Sequence, residues 1–147
     1  KSNAVNPFID VPDWAERTAA YAFSIGLTAG VNEERTLFAP SDLVTPHDFT
    51  VFLLRVIGYS EDFNDFAYAD ARRKAVEVGL FKVFESAAIN ADGVLLRAEA
   101  AIAMADALIA IIKNSDSTLV EKLAREGKLS REAVDEFLKA IKVVHKR

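Results

Sequence analysis

The side chains in this chain best suited to chemistry are a guanidinium and an indole. Arg97 opens an apolar segment, Leu95-Leu96-Arg97-Ala98-Glu99-Ala100. A cation at a helix N-terminus faces the positive end of the dipole and wants an anionic partner. Glu99 and Asp92 are the internal candidates, and a ligand carboxylate, which the planar donor fork of arginine fits, is the external one. Trp14 falls on what periodicity marks as an apolar helix face, where an indole usually belongs to the core and sugar stacking is the competing role. Asp10, ahead of Val11-Pro12, reads as a cap or turn residue supplying acceptors to backbone donors. Glu99 reads as a first-turn partner of the helix dipole.

Catalytic sets are not found. The two histidines, His47 and His145, lie far apart, without metal-ligand spacing or a nucleophile motif near either. Asp62, Asp65 and Asp70 flank an aromatic stretch but lack the glycine and terminal glutamate of a calcium-binding EF-hand loop. Paired carboxylates hydrolyse glycosides only at a defined separation across a cleft, which sequence does not set. No glycine-rich phosphate loop occurs. We therefore expect no enzyme, no cofactor and no metal.

Composition fits one compact soluble domain, with 51% apolar and 27% charged residues among 147. The net charge of -4 and a pI near 5.2 argue against nucleic acid as a partner, since phosphate neutralisation needs a basic face. Cysteine is absent, which excludes disulfides and thiolate metal sites and leaves the redox compartment open. The longest apolar run, 100–112, is interrupted by Asp106 and is too short to cross a bilayer, so no membrane insertion is expected. The chain does not begin with an export signal, which was removed, lies outside this sequence or never existed. Residues 1–4 resemble an expression-tag remnant.

Glycines and caps punctuate the helices. The first is expected from about Pro12 to Ile25, burying Trp14, Thr18, Tyr21, Ala22 and Ile25. The second starts after Thr45, with Pro46 at its first position and Asp48 reinforcing the cap, and buries Phe49, Phe52, Leu53 and Val56. A third spans Tyr68 to Val78. A fourth spans Arg97 to Lys113 and is lined by Ala100, Ala101, Met104, Leu108 and Ile111. Two amphipathic helices, 116–126 and 130–144, form a tail whose last member carries Val134, Phe137, Leu138, Ile141 and Val144. Helices two and four, with the most continuous apolar faces, are expected as central neighbours.

The order of these features recurs. From Phe8 the chain reads F-I-D-V-P-D-W-A, then Gly26-Leu27, Gly30, Phe38 and Pro40, then V-T-P-H-D-F before an apolar helix. About fifty residues later come Phe66 to Ala71, Gly79-Leu80, a loop through Asn90 and Asp92-Gly93, and L-L-R-A-E-A before another. Such a period marks stacked units, none of which can bury its apolar face alone. Over about 7–110 this pattern resembles the S-layer homology repeat of bacterial surface proteins.

The resemblance implies an all-α fold of helix-loop-helix repeats with about six helices. Residues 5–60 would form the first repeat, 61–113 a degenerate second, and 114–147 a helical hairpin or truncated third, together one compact domain. It implies non-covalent anchoring at the bacterial cell surface, in which a groove between repeats holds a secondary cell-wall polysaccharide, often through a pyruvylated sugar. The residues it nominates for glycan contact are Arg97, Glu99, Trp14, Asp10 and Gly30. The chain departs from the pattern at Thr45-Pro46-His47-Asp48, where the family's T-R-A-E motif carries its binding arginine. Only Arg97 keeps that guanidinium, with Arg131 a weaker echo in the tail. The alternative partner is another surface protein, bound by a scaffold that has lost its glycan.

Overall fold

The computed structural model describes residues 4–81 and 93–144. The expected loop residues Asn90 and Asp92, His145 and the side chain of Val144 lie outside the described residues. Among those residues the fold is all-α, with six helices and no strand: α1 Asp13–Ser24, α2 Pro46–Val56, α3 Ala71–Glu77, α4 Arg97–Ile109, α5 Leu119–Arg125 and α6 Arg131–Val144. A single turn of 3-10 helix, Tyr68–Asp70, leads into α3. No described helix is long and apolar enough to cross a membrane. The chain separates into two compact units, 1–44 and 45–147, so the boundary falls inside the segment 5–60.

The first unit is built around Phe8, which is buried and touches Phe23 edge-on at 5.6 Å and Phe38 at 5.3 Å between ring centroids. A long loop after α1 is closed by the backbone bonds Val31 N to Leu37 O (2.8 Å) and Ile9 N to Thr36 O (3.0 Å). Asn32 Oδ1 accepts from the amides of both Thr36 and Leu37, which satisfies donors that no helix or sheet would take.

Helix α1 has the expected ends but the opposite phase. Ala19 and Ala20 are buried, whereas Trp14, Tyr21 and Ile25 are exposed. Two apolar stripes compete on this helix, and the one that wins the inside carries Ala19, Ala20 and Phe23, whose ring meets that of Phe8. The polar residues Arg17 and Thr18 lie within the aromatic stripe, and leaving that stripe outside spares them desolvation.

The second unit is organised on α2, which packs most extensively against α3 and also against α4; α5 in turn packs on α4 and on α6. Helices α2 and α4 are thus neighbours, as their apolar faces demand. Thr45 caps α2 by accepting from Asp48 N (3.0 Å), with Pro46 at the first helical position. Thr118 and Glu121 form a reciprocal capping box on α5, and Ser130 accepts from Ala133 N at the start of α6.

The core joins large residues of α2 and its cap (Val51, Leu53, Leu54, Ile57) to alanines of α3 (Ala71, Ala75) and of α4 and its cap (Ala103, Ala107, Ala110). Phe49 and Val56 pack on it only partly, and Phe52 is half-buried away from it, so the buried face of α2 is rotated from the expected one. The same correction applies to α4. Ala101 and Met104 are exposed and Ile111 lies beyond the helix end, while Leu108 packs partly on the core. The expected phase sent Asp106 to solvent, yet Asp106 is completely buried. In the tail, Ile141 is buried and Val134, Phe137 and Leu138 are half-buried, in keeping with the periodicity there.

Candidate functional site

The residues nominated by sequence separate into those that hold backbone and those that do not. Asp10 accepts from the amides of Phe38 (2.8 Å) and Ala39 (2.7 Å), pinning the far end of the long loop. The bond from Phe38 N is the largest reason its carboxyl sits below the ordinary aspartate value. Ala39 itself has a φ of 56°, a conformation that side chains avoid, and the carboxylate helps to hold it there. Gly30 sits under the same loop with a φ of 80°; a β-carbon there would lie 2.7 Å from Leu37 O and 3.0 Å from the Phe8 ring. Asp10 and Gly30 are therefore brought together, as two supports of one loop. Glu99 accepts from Leu96 N at 2.8 Å, closing the first turn of α4.

Two nominated residues have no such job. Trp14 is 87% exposed, against the core position expected for it. Arg97 is exposed on the first turn of α4 and forms no ion pair with Glu99 or any other described residue. Trp14 belongs to the first unit and Arg97 to the second.

Around Trp14 the structure supplies neighbours that the sequence reading missed. Trp14, Arg17, Thr18 and Tyr21 line a shallow depression of about 500 Å³ on the solvent side of α1. At about 100° per residue, Arg17, Thr18 and Tyr21 all fall within about 60° of Trp14 around the helix. The signal was present in the sequence as two hydrogen-bonding residues inside an aromatic stripe. An indole face, a phenol that is 52% exposed, a hydroxyl and a guanidinium thus share one surface. Such a set can stack on a flat apolar ring and donate to oxygen atoms at its rim.

The segment that stands where T-R-A-E was expected has a different use. Pro46 is fully buried. The Tyr68 hydroxyl donates to Asp48, and Thr45 Oγ1 donates to the other carboxylate oxygen at 2.6 Å. His47 Nε2 lies 2.8 Å from Tyr68 O, its ring 4.5 Å from the Tyr68 ring. Burial pushes the Asp48 carboxyl up, but the bonds from Thr45 and Tyr68 outweigh it and hold it below the usual value. The Tyr68 phenol is pushed up to about 12, by burial first and by Asp48 second. These contacts tie the start of α2 to the 3-10 turn, and they spend the Thr45 hydroxyl, both Asp48 oxygens and His47 Nε2 on the fold.

Among the described residues, no group of three or more histidine, aspartate or glutamate side chains is placed to hold a metal ion. Comparison with family models, with curated proteins and with solved structures gives no match.

Proposed function

We propose that this chain is a non-catalytic anchoring module that attaches a larger protein to a bacterial cell surface by binding a cell-wall polysaccharide. The observation that carries the reading is the tryptophan left in water on α1. Burying a large apolar side chain is worth about 1.5–3 kcal/mol, and the fold forgoes that gain here. A pyranose, with an apolar C–H face and a rim of hydroxyls, is a natural cover for an indole flanked by hydrogen-bonding groups. The spacing of F-x-D-V-P, W-A, G-L-x-x-G and F-x-P, which resembles the S-layer homology repeat, supports a cell-wall glycan over other sugars. Asp10 and Gly30 serve this reading as supports of the loop after α1, and Glu99 as the cap of α4. Arg97, exposed and without an ion pair among the described residues, is a second contact to be tested by itself.

The reading is tested by sedimenting the protein with purified Gram-positive sacculi, intact or stripped of their secondary polysaccharide. Retention on the intact sacculi alone is expected; equal behaviour on both would remove the glycan. A second reading, a scaffold that binds another surface protein, is favoured by Pro46, which puts a buried ring where the resembling motif has a binding arginine. Failure to sediment with either preparation would favour it.

A further inference from the structure

We infer that the solvent side of α4 is the contact face of a homodimer, on which a second copy of this chain lays its own α4 antiparallel about a twofold axis. The inference concerns the second unit alone and does not rest on the glycan reading.

Helix α4 is inverted relative to the amphipathic helix of a lone domain. Its acid, Asp106, is completely buried, whereas Ile102 and Met104 are exposed. Ala98 and Ala101 are exposed beside them, and Ala105, Leu108 and Ile109 are half-buried. At about 100° per residue these seven apolar side chains and Arg97 share an arc of about 160° around the axis. Arg97 is the only charge in that arc, since Glu99 and Asp106 fall on the other side. Beyond the two ends of the helix, Leu96 and Ile111 add further exposed apolar surface. A helix that is apolar on nearly every side belongs inside something, and an exposed face of this kind marks a contact surface.

The two ends of α4 say what covers it. Arg97 sits at the positive end of its own helix dipole and forms no ion pair among the described residues. At the other end no basic residue occupies the last turn. Ile112 N and Lys113 N, which a continued helix would direct at Leu108 O and Ile109 O, donate instead to Ser117 O (3.0 Å) and Ile57 O (2.8 Å). The negative end of the dipole is thus left with carbonyls that no described backbone amide takes. An antiparallel copy satisfies both ends at once, because it sets each Arg97 beside residue 109 of the other chain. In that register Ala101 meets Ala105 of the second copy, Met104 meets Ile102 and Ala98 meets Leu108. The middle is therefore uncharged, and its small residues let the two helices approach closely. A twofold axis makes the fit reciprocal, as an isologous interface requires.

Other occupants fit less well. A bilayer surface draws in an apolar helix face through a margin of several cations, and this one has Arg97 alone. A parallel copy would bring the two guanidiniums and the two positive helix ends together. A partner of another sequence would have to supply an acceptor, a run of small apolar residues and a cation in reversed order, which a copy of α4 already carries.

One pair of short helices makes a small interface, so a dimer with a dissociation constant in the micromolar range is expected. Analytical ultracentrifugation of the full chain should show the mass rising from 16.1 kDa towards twice that value between low micromolar and millimolar concentration. Ala101→Glu, which sets two carboxylates beside the twofold axis, should hold the chain at the monomer mass throughout. Arg97→Met should weaken the dimer at least tenfold, as expected for the loss of a charge-assisted contact at each end. Both side chains lie in solvent, so circular dichroism matching the parent establishes that these variants are folded. Orientation is read by disulfide formation, because the chain has no cysteine of its own. A mixture of Ala98→Cys and Leu108→Cys chains should cross-link one to the other, whereas Ala98→Cys alone should not. A monomer at every concentration would overturn the inference and leave the face to a partner of another sequence. A dimer that persists in Ala101→Glu would place the interface elsewhere on the chain. Ready cross-linking of Ala98→Cys to itself would overturn the antiparallel register.

Discussion

Truncating Leu54 should damage the second unit far more than truncating the larger Phe52, although the amphipathic pattern alone ranks Phe52 as core. Leu54 is completely buried within the α2–α3–α4 cluster, while Phe52 is half-buried outside it. Leu54→Ala removes three carbons, worth about 2.4 kcal/mol at about 0.8 kcal/mol for each buried methylene. A residual cavity of roughly 60 Å³ adds about 1.5 kcal/mol at about 24 cal/mol per Å³. The sum, near 4 kcal/mol, is a large share of the 5–15 kcal/mol typical of a whole domain. Phe52→Ala should cost about 1 kcal/mol, the part of its transfer energy that half-burial secures. Urea melts followed by circular dichroism at the helix band would show it: with a slope of about 1–2 kcal/mol per molar, Leu54→Ala moves the midpoint by about 2 M or more. A Phe52→Ala midpoint shift equal to or larger than that of Leu54→Ala would mean that α2 faces the core with its other side.

Gly30→Ala should destabilise the first unit by more than Gly127→Ala, since both glycines have positive φ but only Gly30 lacks room for a β-carbon; about 1 kcal/mol is expected at Gly127 and more at Gly30, read by thermal melts. Thr45→Ala should cost about 1 kcal/mol as a lost N-cap in the same assay. The Tyr68 phenol should titrate near pH 12 by ultraviolet difference spectra, and Asp48→Asn should bring it down. Because the folded value is the raised one, Tyr68 contributes stability below pH 10 that is lost as pH rises from about 10 to about 12. Asp65, held below the ordinary 3.8 chiefly by its bond from Lys113 Nζ at 2.5 Å, contributes stability above pH 3.8 that is lost as pH falls below it. Acid melts of Asp65→Asn should therefore be flatter in that range than those of the parent.

Helix positions were legible because they are written in single residues with one mechanical meaning: Thr45 with Pro46, the Ser130 cap, and Gly26, Gly58 and Gly127, whose φ values are all positive. Helix phase was not, wherever a helix offered more than one apolar stripe. In α4, the stripe expected inside leaves out Asp106, and Asp106 lies inside. In α1, the stripe of Ala19, Ala20 and Phe23 went in while the one with the tryptophan stayed out. The amphipathic α6, with charged residues all along its other side, left no such choice and was read in phase. The candidate site was half visible for the same reason. Trp14 and Arg97 stood out by type, but Arg17 and Thr18 gain meaning only once the helix is known to turn that face to solvent. Asp10 and Glu99 stood out because the turn and cap they secure need those residue types, whereas Gly30 was nominated only by the resemblance.

The alanines at the centre of the second unit bear on how this sequence can drift. Ala71, Ala75, Ala103, Ala107 and Ala110 are nearly or completely inaccessible, and they face the bulky side of α2. Most replacements reached from an alanine codon by one base change are larger, and overfilling a close-packed interior costs about 1–3 kcal/mol. Leucine and isoleucine on α2 can exchange for one another at lower cost, because the volume they occupy is conserved. Substitutions among descendants of this sequence should therefore accumulate on α2, while the five alanine positions change only to glycine or serine. A lineage in which one of them has become leucine should also show a compensating reduction on α2, which makes the size of two facing positions a heritable pair.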